Sequence, residues 1–190
     1  MSGDPLALIE LDSIAAGYRC IDLMVKKAPI TMIEANLIEP GHFLILFSGD
    51  LACVEESYEE ALYYYPDPIG KTLISTAHEQ LLKGLFGETK TVDEEYDALG
   101  VLETSSISDT LLCCDRALKE SYVDLVGIRV HGGLGGRGYF VVSGAQHDVE
   151  AAIETADQQA KLYRKECIAR PHAEMLEWLF RPLPFLSPKR

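Results

Sequence analysis

Apolar and polar positions alternate along this chain in a way that repeats itself. Leu6–Glu10 and Leu99–Glu103 each read as a short apolar strand. Each leads through good N-cap residues, Asp12-Ser13 and Ser105-Ser106, into a helix. Apolar residues then recur as Ile14, Tyr18, Ile21, Val25 and as Ile107, Leu111, Cys114, Leu118. That spacing marks one helix face packed on a core. Two strands follow in each stretch, Ile30–Leu37 with Phe43–Phe47, and Val123–His131 with Tyr139–Ser143. A second helix starts near Asp50 with Val54 and Tyr58 inward, and again near Gln146 with Val149 and Ile153 inward. A fourth strand includes Thr72–Ser75 or Glu166–Ile168, and a last helix runs to Phe86 or Phe180.

The parallel is a duplication. Sliding the chain on itself by 93–95 positions sets Glu10, Ser13, Cys20, Asp22 and Lys26 on Glu103, Ser106, Cys113, Asp115 and Lys119. Further along, Ser48, Gly49, Val54 and Glu55 fall on Ser143, Gly144, Val149 and Glu150, and His78, Leu82 and Phe86 on His172, Leu176 and Phe180. A period this long gives two homologous domains rather than a solenoid. The order β-α-β-β-α-β plus one helix predicts an α/β fold of the α+β kind, two ferredoxin-like sandwiches in tandem. The expected bounds are 1–88 and 98–181, with a charged linker at 89–97 and an irregular surface tail at 182–190.

Charge narrows the partners. The 190 residues carry a formal charge of −13, with 47% apolar and 25% charged residues, the balance of a soluble globular protein. Nucleic acid and anionic membranes both call for clustered Lys and Arg, so neither is an expected partner. No apolar stretch is long enough to span a bilayer, and no signal peptide is visible. Five cysteines without CxxC spacing argue against a disulfide framework and favour a reducing cytoplasm. The acid is unevenly spread: residues 1–95 hold 6 basic and 17 acidic side chains, so most of the net charge sits in the first copy.

Candidate chemistry is thin. Gly133-Leu134-Gly135-Gly136-Arg137-Gly138 spells GxGxxG, but a dinucleotide loop must open a helix and this one runs into the strand Tyr139–Val142. It reads as a β–β connection, matched in the first copy by the shorter Ile38-Glu39-Pro40-Gly41-His42. His42 and His131 flank these loops. Cys20, Cys113 and Cys114 read as buried thiols, and the positions of Cys53 and Cys167 give no metal spacing. His78 and His172 start the last helix of each copy, a structural position. Lys26 and Lys119 close the first helices, where a cation meets the negative end of the helix dipole. No catalytic centre stands out, so an enzyme is not expected.

Several of these segments resemble one family. Ala98–Thr104, Asp115-Arg-Ala-Leu-Lys119, Val142-Ser-Gly144 and Ile168-Ala-Arg-Pro-His172 are similar to the shell-protein domain of bacterial microcompartments. Leu8–Leu11, Asp22–Lys26 and Phe47–Asp50 repeat the pattern more loosely. Two copies in unpermuted order resemble the tandem-domain shell proteins, including those of propanediol-utilisation shells. The resemblance implies a homotrimer, a pseudohexameric tile in a microcompartment shell beside hexagonal and pentameric shell proteins, with encapsulated enzymes as possible neighbours. It places Lys26, Lys119, Arg170 and His172 on the tile edge. In the first copy Thr76-Ala77-His78 stands where the second has Arg170-Pro171-His172.

The same resemblance puts Ile38, Glu39, Pro40, Gly41 and His42, with Gly132, Gly133, Leu134, Gly135 and Gly136, around a central pore. Relatives carry a cysteine for an iron–sulfur cluster where this chain has Glu39, and carboxylate is a poor substitute for thiolate. No cofactor is therefore expected. Glu39 remains the candidate for a hard cation at the pore, and an acidic ring there favours cations or neutral solutes. Two other readings compete: a ferredoxin-like regulatory protein holding a small anion or nucleotide at residues 132–137, and an electron-transfer trimer with a metal centre.

Overall fold

The computed structural model describes residues 3–89, 97–176 and 178–179. Most of the expected linker and all of the expected tail lie outside these residues. The first domain runs β1 (Leu6–Leu11), α1 (Ile14–Lys27), β2 (Thr31–Ile38), β3 (His42–Ser48), α2 (Leu51–Tyr64), β4 (Gly70–Ile74) and α3 (Glu79–Leu85). The second repeats it as β5 (Ala98–Thr104), α4 (Ile107–Glu120), β6 (Asp124–Arg129), β7 (Gly138–Gly144), α5 (Gln146–Gln159), β8 (Arg164–Ala169) and α6 (Ala173–Leu176). Each sheet is antiparallel, in the orders β2-β3-β1-β4 and β6-β7-β5-β8. The duplication extends to a register shift at the same place in each edge strand, between Met32 and Glu34 and between Leu125 and Gly127.

Local chemistry sets the helix starts. Ser13 accepts a hydrogen bond from the Ala16 amide and Ser106 one from the Asp109 amide, as the sequence predicts. Asp50 caps α2 in the same manner. Ala145, the N-cap of α5, has only a methyl side chain that cannot accept, and there Asp97 reaches over to accept from the Gln146 amide at 2.8 Å. His78 and His172 cap α3 and α6 through Nδ1, accepting from the Gln80 and Glu174 amides.

Strand alternation divides the apolar residues between cores. Ala7, Ile9, Leu11, Phe43, Ile45 and Phe47 face α1 and α2 and close the first domain. Leu6, Leu8, Leu44 and Leu46, on the opposite face, join Ile107, Leu111, Cys114 and Leu118 of α4 in a core shared by the two domains. α4 is thus packed on both sides. The corresponding face of the second sheet, around Leu99, Val126 and Val141, is covered partly by Met175, Leu176 and Leu179.

One sequence expectation fails here. The stripe Ile14, Tyr18, Ile21, Val25 packs only in part on the core of its own domain: Ile21 touches it and Tyr18 meets the Phe43 ring at 5.0 Å between centroids, but Ile14, Tyr18 and Val25 are 43%, 64% and 49% exposed. The buried face of α1 is Gly17, Cys20 and Met24. Gly17 is required there, because a Cβ would stand 2.3 Å from the Phe43 ring. The apolar spacing is real, but much of the stripe is left uncovered within the chain.

Candidate functional site: the paired loops and the domain seam

The two interstrand loops differ in length and in backbone conformation. Glu39, Pro40 and Gly41 join β2 to β3, with the Glu39–Pro40 bond cis. All three residues are exposed, whereas Ile38, at the root, is buried in the shared core. At the other root the His42 Nδ1 lies 2.7 Å from Glu10 Oε1. Glu10 is only 2% exposed, so the imidazole supplies the partner that a buried carboxylate needs. Glu10 falls on Glu103 in the repeat, but nothing in the sequence ties it to His42.

Residues 130–137 form the second loop. Gly132, Gly133, Gly135 and Gly136 all have positive φ, between 62° and 94°, a region that residues with a Cβ avoid. His131, Gly133 and Gly135 are exposed, and Gly132, Leu134 and Gly136 are half-buried. The loop enters β7 at Gly138, not a helix, so the phosphate-binding context is absent. Arg137, the counterpart of His42, donates from Nε to the Leu134 carbonyl and stacks 4.7 Å from the Tyr163 ring centroid.

These loops meet across the domain boundary. A Cβ on Gly136 would lie 3.6 Å from the Glu39 carbonyl oxygen and 3.8 Å from Pro40 Cδ. The cleft between them, floored by Ile38, Ile107 and Val130, measures about 10 Å³, room for no more than one water. A nucleotide has no seat there. The donor set also argues against an iron–sulfur cluster, because the five cysteines lie on α1, α2, α4 and β8 and neither loop has one. Burial pushes the Cys20 thiol up to about 11 and the Cys113 thiol up to about 12, and also raises Cys114 well above the usual thiol value. Thiols held in this protonated form are packing residues rather than ligands. Among the described residues no cluster of three or more His, Cys, Asp or Glu side chains is arranged for a metal.

The four residues expected on a tile edge do not behave alike. Lys119 Nζ lies 2.5 Å from Asp115 Oδ2 and donates to the Thr76 carbonyl of the first domain. Asp115 Oδ1 accepts from the His78 amide, and Gln80 bonds both the Leu125 amide and the Asp124 carboxylate. The segment Thr76-Ala77-His78 is therefore part of the seam between the domains, a role the sequence hinted at only through its place in the repeat. In the other copy Lys26 meets only Asp22 among the described residues, at 2.6 Å, with both side chains largely in solvent. Arg170 has φ 47° and His172 is exposed.

Two homologous α+β domains joined by a continuous shared core define the class of protein: a tandem-domain α+β chain. The BMC domain family matches it twice, over residues 6–78 and 98–171. The bacterial microcompartment shell protein PduT of Citrobacter freundii is 32% identical over 175 residues, covering 90% of this chain and 94% of its own. A microcompartments protein from Desulfitobacterium hafniense DCB superposes with a TM-score of 0.82 at 29% identity, over 93% of this chain and 99% of that one. The fused permuted hexameric shell protein MSM0275 shares the fold, with a TM-score of 0.62 at 21% identity over 91% and 85% of the two chains. The chain belongs to the bacterial microcompartment shell proteins that carry two BMC domains in tandem. Among the described residues no helix is long and apolar enough to cross a membrane.

Proposed function

We propose that three copies of this chain close into a ring of six domains, a non-enzymatic shell tile with the two kinds of loop around its axis. The observation that carries this reading is the exposure of the α1 stripe. Its counterparts on α4 (Ile107, Leu111, Cys114, Leu118) are at most 5% exposed because the first domain's sheet lies over them. If each contact between the domains recurs between chains, α1 of one copy covers the second sheet of the next, near Val101 and Tyr139. Asp22 and Lys26 would then take the backbone of His172 and Arg170 as Asp115 and Lys119 take that of His78 and Thr76. Burying a side chain of this size is worth about 1.5–3 kcal/mol. Several per seam offset an association cost of about 4–15 kcal/mol.

A closed ring built in this way places the loops side by side, as Gly136 and Glu39 already are within one chain. Three copies of Glu39 and three glycine-rich loops would line the opening. An acidic collar there favours passage of cations or neutral metabolites over anions. In this reading Lys26, Lys119, Arg170 and His172 sit where these seams reach the outer edge of the ring, beside the hexagonal or pentameric shell proteins that abut it.

Native mass and sedimentation measurements on the intact chain test the ring, and a monomer at all concentrations ends the proposal. For the opening, Glu39→Gln should cut cation conductance of the assembled tile in a planar bilayer, or remove a cation bound on the axis. Unchanged conductance and unchanged binding would leave Glu39 a solvated loop carboxylate.

A further inference from the structure

The two halves differ in side-chain size where α3 meets the second domain. Gly84 of α3 faces β6 so closely that a Cβ would stand 2.5 Å from Leu125 Cδ2 and 3.2 Å from Ile128 Cγ2. The shared His78 and His172 caps set α3 in register with the second copy's last helix, and that register puts Trp178, two residues past the end of α6, where α3 has Gly84. On the facing strand, Leu125 and Ile128 correspond to Met32 and Ala35 of β2. A glycine against a bulky pair is thus replaced by a tryptophan against a flexible residue and a small one. Trp178 is 66% exposed in the single chain, Met32 and Ala35 are half-buried, and Leu37 beside them is 55% exposed.

We infer that Trp178 keys into the edge of β2 of the next copy, seated on Met32 and Ala35. The inference rests on the ring proposed above and adds what makes its seams unequal. The size exchange works in both directions. Trp178 offered to β6 collides with Leu125 and Ile128, and Gly84 offered to β2 leaves a hole over Ala35. Each half therefore accepts only its proper neighbour, which is specificity by steric exclusion. A buried tryptophan at the centre of a contact is also the residue type that most often dominates association.

Trp178 is the only tryptophan in the chain, so its fluorescence reports this contact alone. Emission and acrylamide quenching of the full-length protein are followed on dilution, with sedimentation run in parallel. The expected result is a blue-shifted, shielded Trp178 in the assembled protein, turning red-shifted and quenchable as it dissociates. Ala35→Ile should weaken assembly by about thirtyfold or more, the scale of losing an interface anchor. The double variant Trp178→Gly with Ala35→Ile rebuilds the pairing found inside the chain and should recover most of that loss. A trimer in which Trp178 stays as quenchable as in the monomer overturns the inference and leaves the ring standing. Failure of the double variant to assemble better than Ala35→Ile also overturns it. Absence of self-association overturns both.

Discussion

α1 and α4 are copies of one helix and live in opposite surroundings. Ile14 and Ile107 are the same residue at the same step of the repeat, yet one is 43% exposed and the other 1%. Both helices present an inner face to their own sheet, Gly17, Cys20 and Met24 in the first and Thr110, Cys113 and Ala117 in the second. Only α4 has a second sheet laid over its outer face. Amphipathic spacing therefore reports that a face wants burial, and says nothing about which chain supplies the cover.

That comparison breaks most severely at the isoleucines. Ile107→Ala should cost the folded chain about 2–5 kcal/mol, the usual loss for a buried isoleucine cut to alanine. Ile14→Ala should change monomer unfolding by no more than about 0.5 kcal/mol, as exposed substitutions do, while weakening self-association. Chemical denaturation at dilutions where the protein is monomeric separates the two. Equal losses at both sites would show that α1 is packed within its own chain after all.

Much of the fold was legible because the chain states it twice. The strands, the order of elements and the Ser13 and Ser106 caps each follow from local patterns, and a match in the other copy reinforces each of them. The error at Ile14 and Val25, which the chain leaves largely uncovered, has the same origin. A repeat shows equivalent sequences, whereas burial depends on neighbours, and those are not equivalent at the two ends of an open chain. Contacts joining the domains were hidden for a related reason. Gln80, Asp115 and the Thr76 carbonyl act on residues 37–45 positions away, beyond the reach of helical or strand periodicity. Asp97 capping α5 over 49 positions is of the same kind. The candidate loops could be located from sequence, but the Glu10 carboxylate under His42 had no local signature.

The lysines sharpen the comparison by a smaller amount. Lys119→Glu places a second carboxylate against Asp115, whose side chain is 10% exposed, and removes the donor to Thr76. A loss of about 1–3 kcal/mol is expected, the cost of leaving buried polar groups without partners. Lys26→Glu disrupts only a solvent-exposed i,i+4 pair, worth about 0–1 kcal/mol at most. Thermal unfolding ranks the two. In the tile reading both reversals also stop lateral assembly into sheets, so a variant stable as Lys26→Glu that still forms sheets would remove that lysine from the edge.

The smallest expected difference is between the histidine caps. His78 Nδ1 accepts from the Gln80 amide, and its own amide is held by Asp115, so the residue ties α3 to the seam. His78→Ala should cost about 1 kcal/mol, the usual value of an N-cap, and His78→Asn should restore most of it. Burial is the main influence on this imidazole and lowers its pKa below 6.5, with Lys119 acting in the same direction and Asp115 and Glu79 opposing. The unfolded chain therefore takes up the proton more readily than the folded one. The cap's contribution should be complete above pH 6.5 and fade as pH falls through the lower folded value. Protonation at Nδ1 also turns the acceptor into a donor, which the Gln80 amide cannot use. His172 caps only the four residues of α6 and is exposed, so His172→Ala should cost the monomer less than His78→Ala. Comparing the two variants' unfolding midpoints between pH 8 and pH 5 isolates the seam. A gap that stays constant with pH would mean that His78 is not titrating as a buried cap, and that its hold on α3 lies in the Asp115 contact alone.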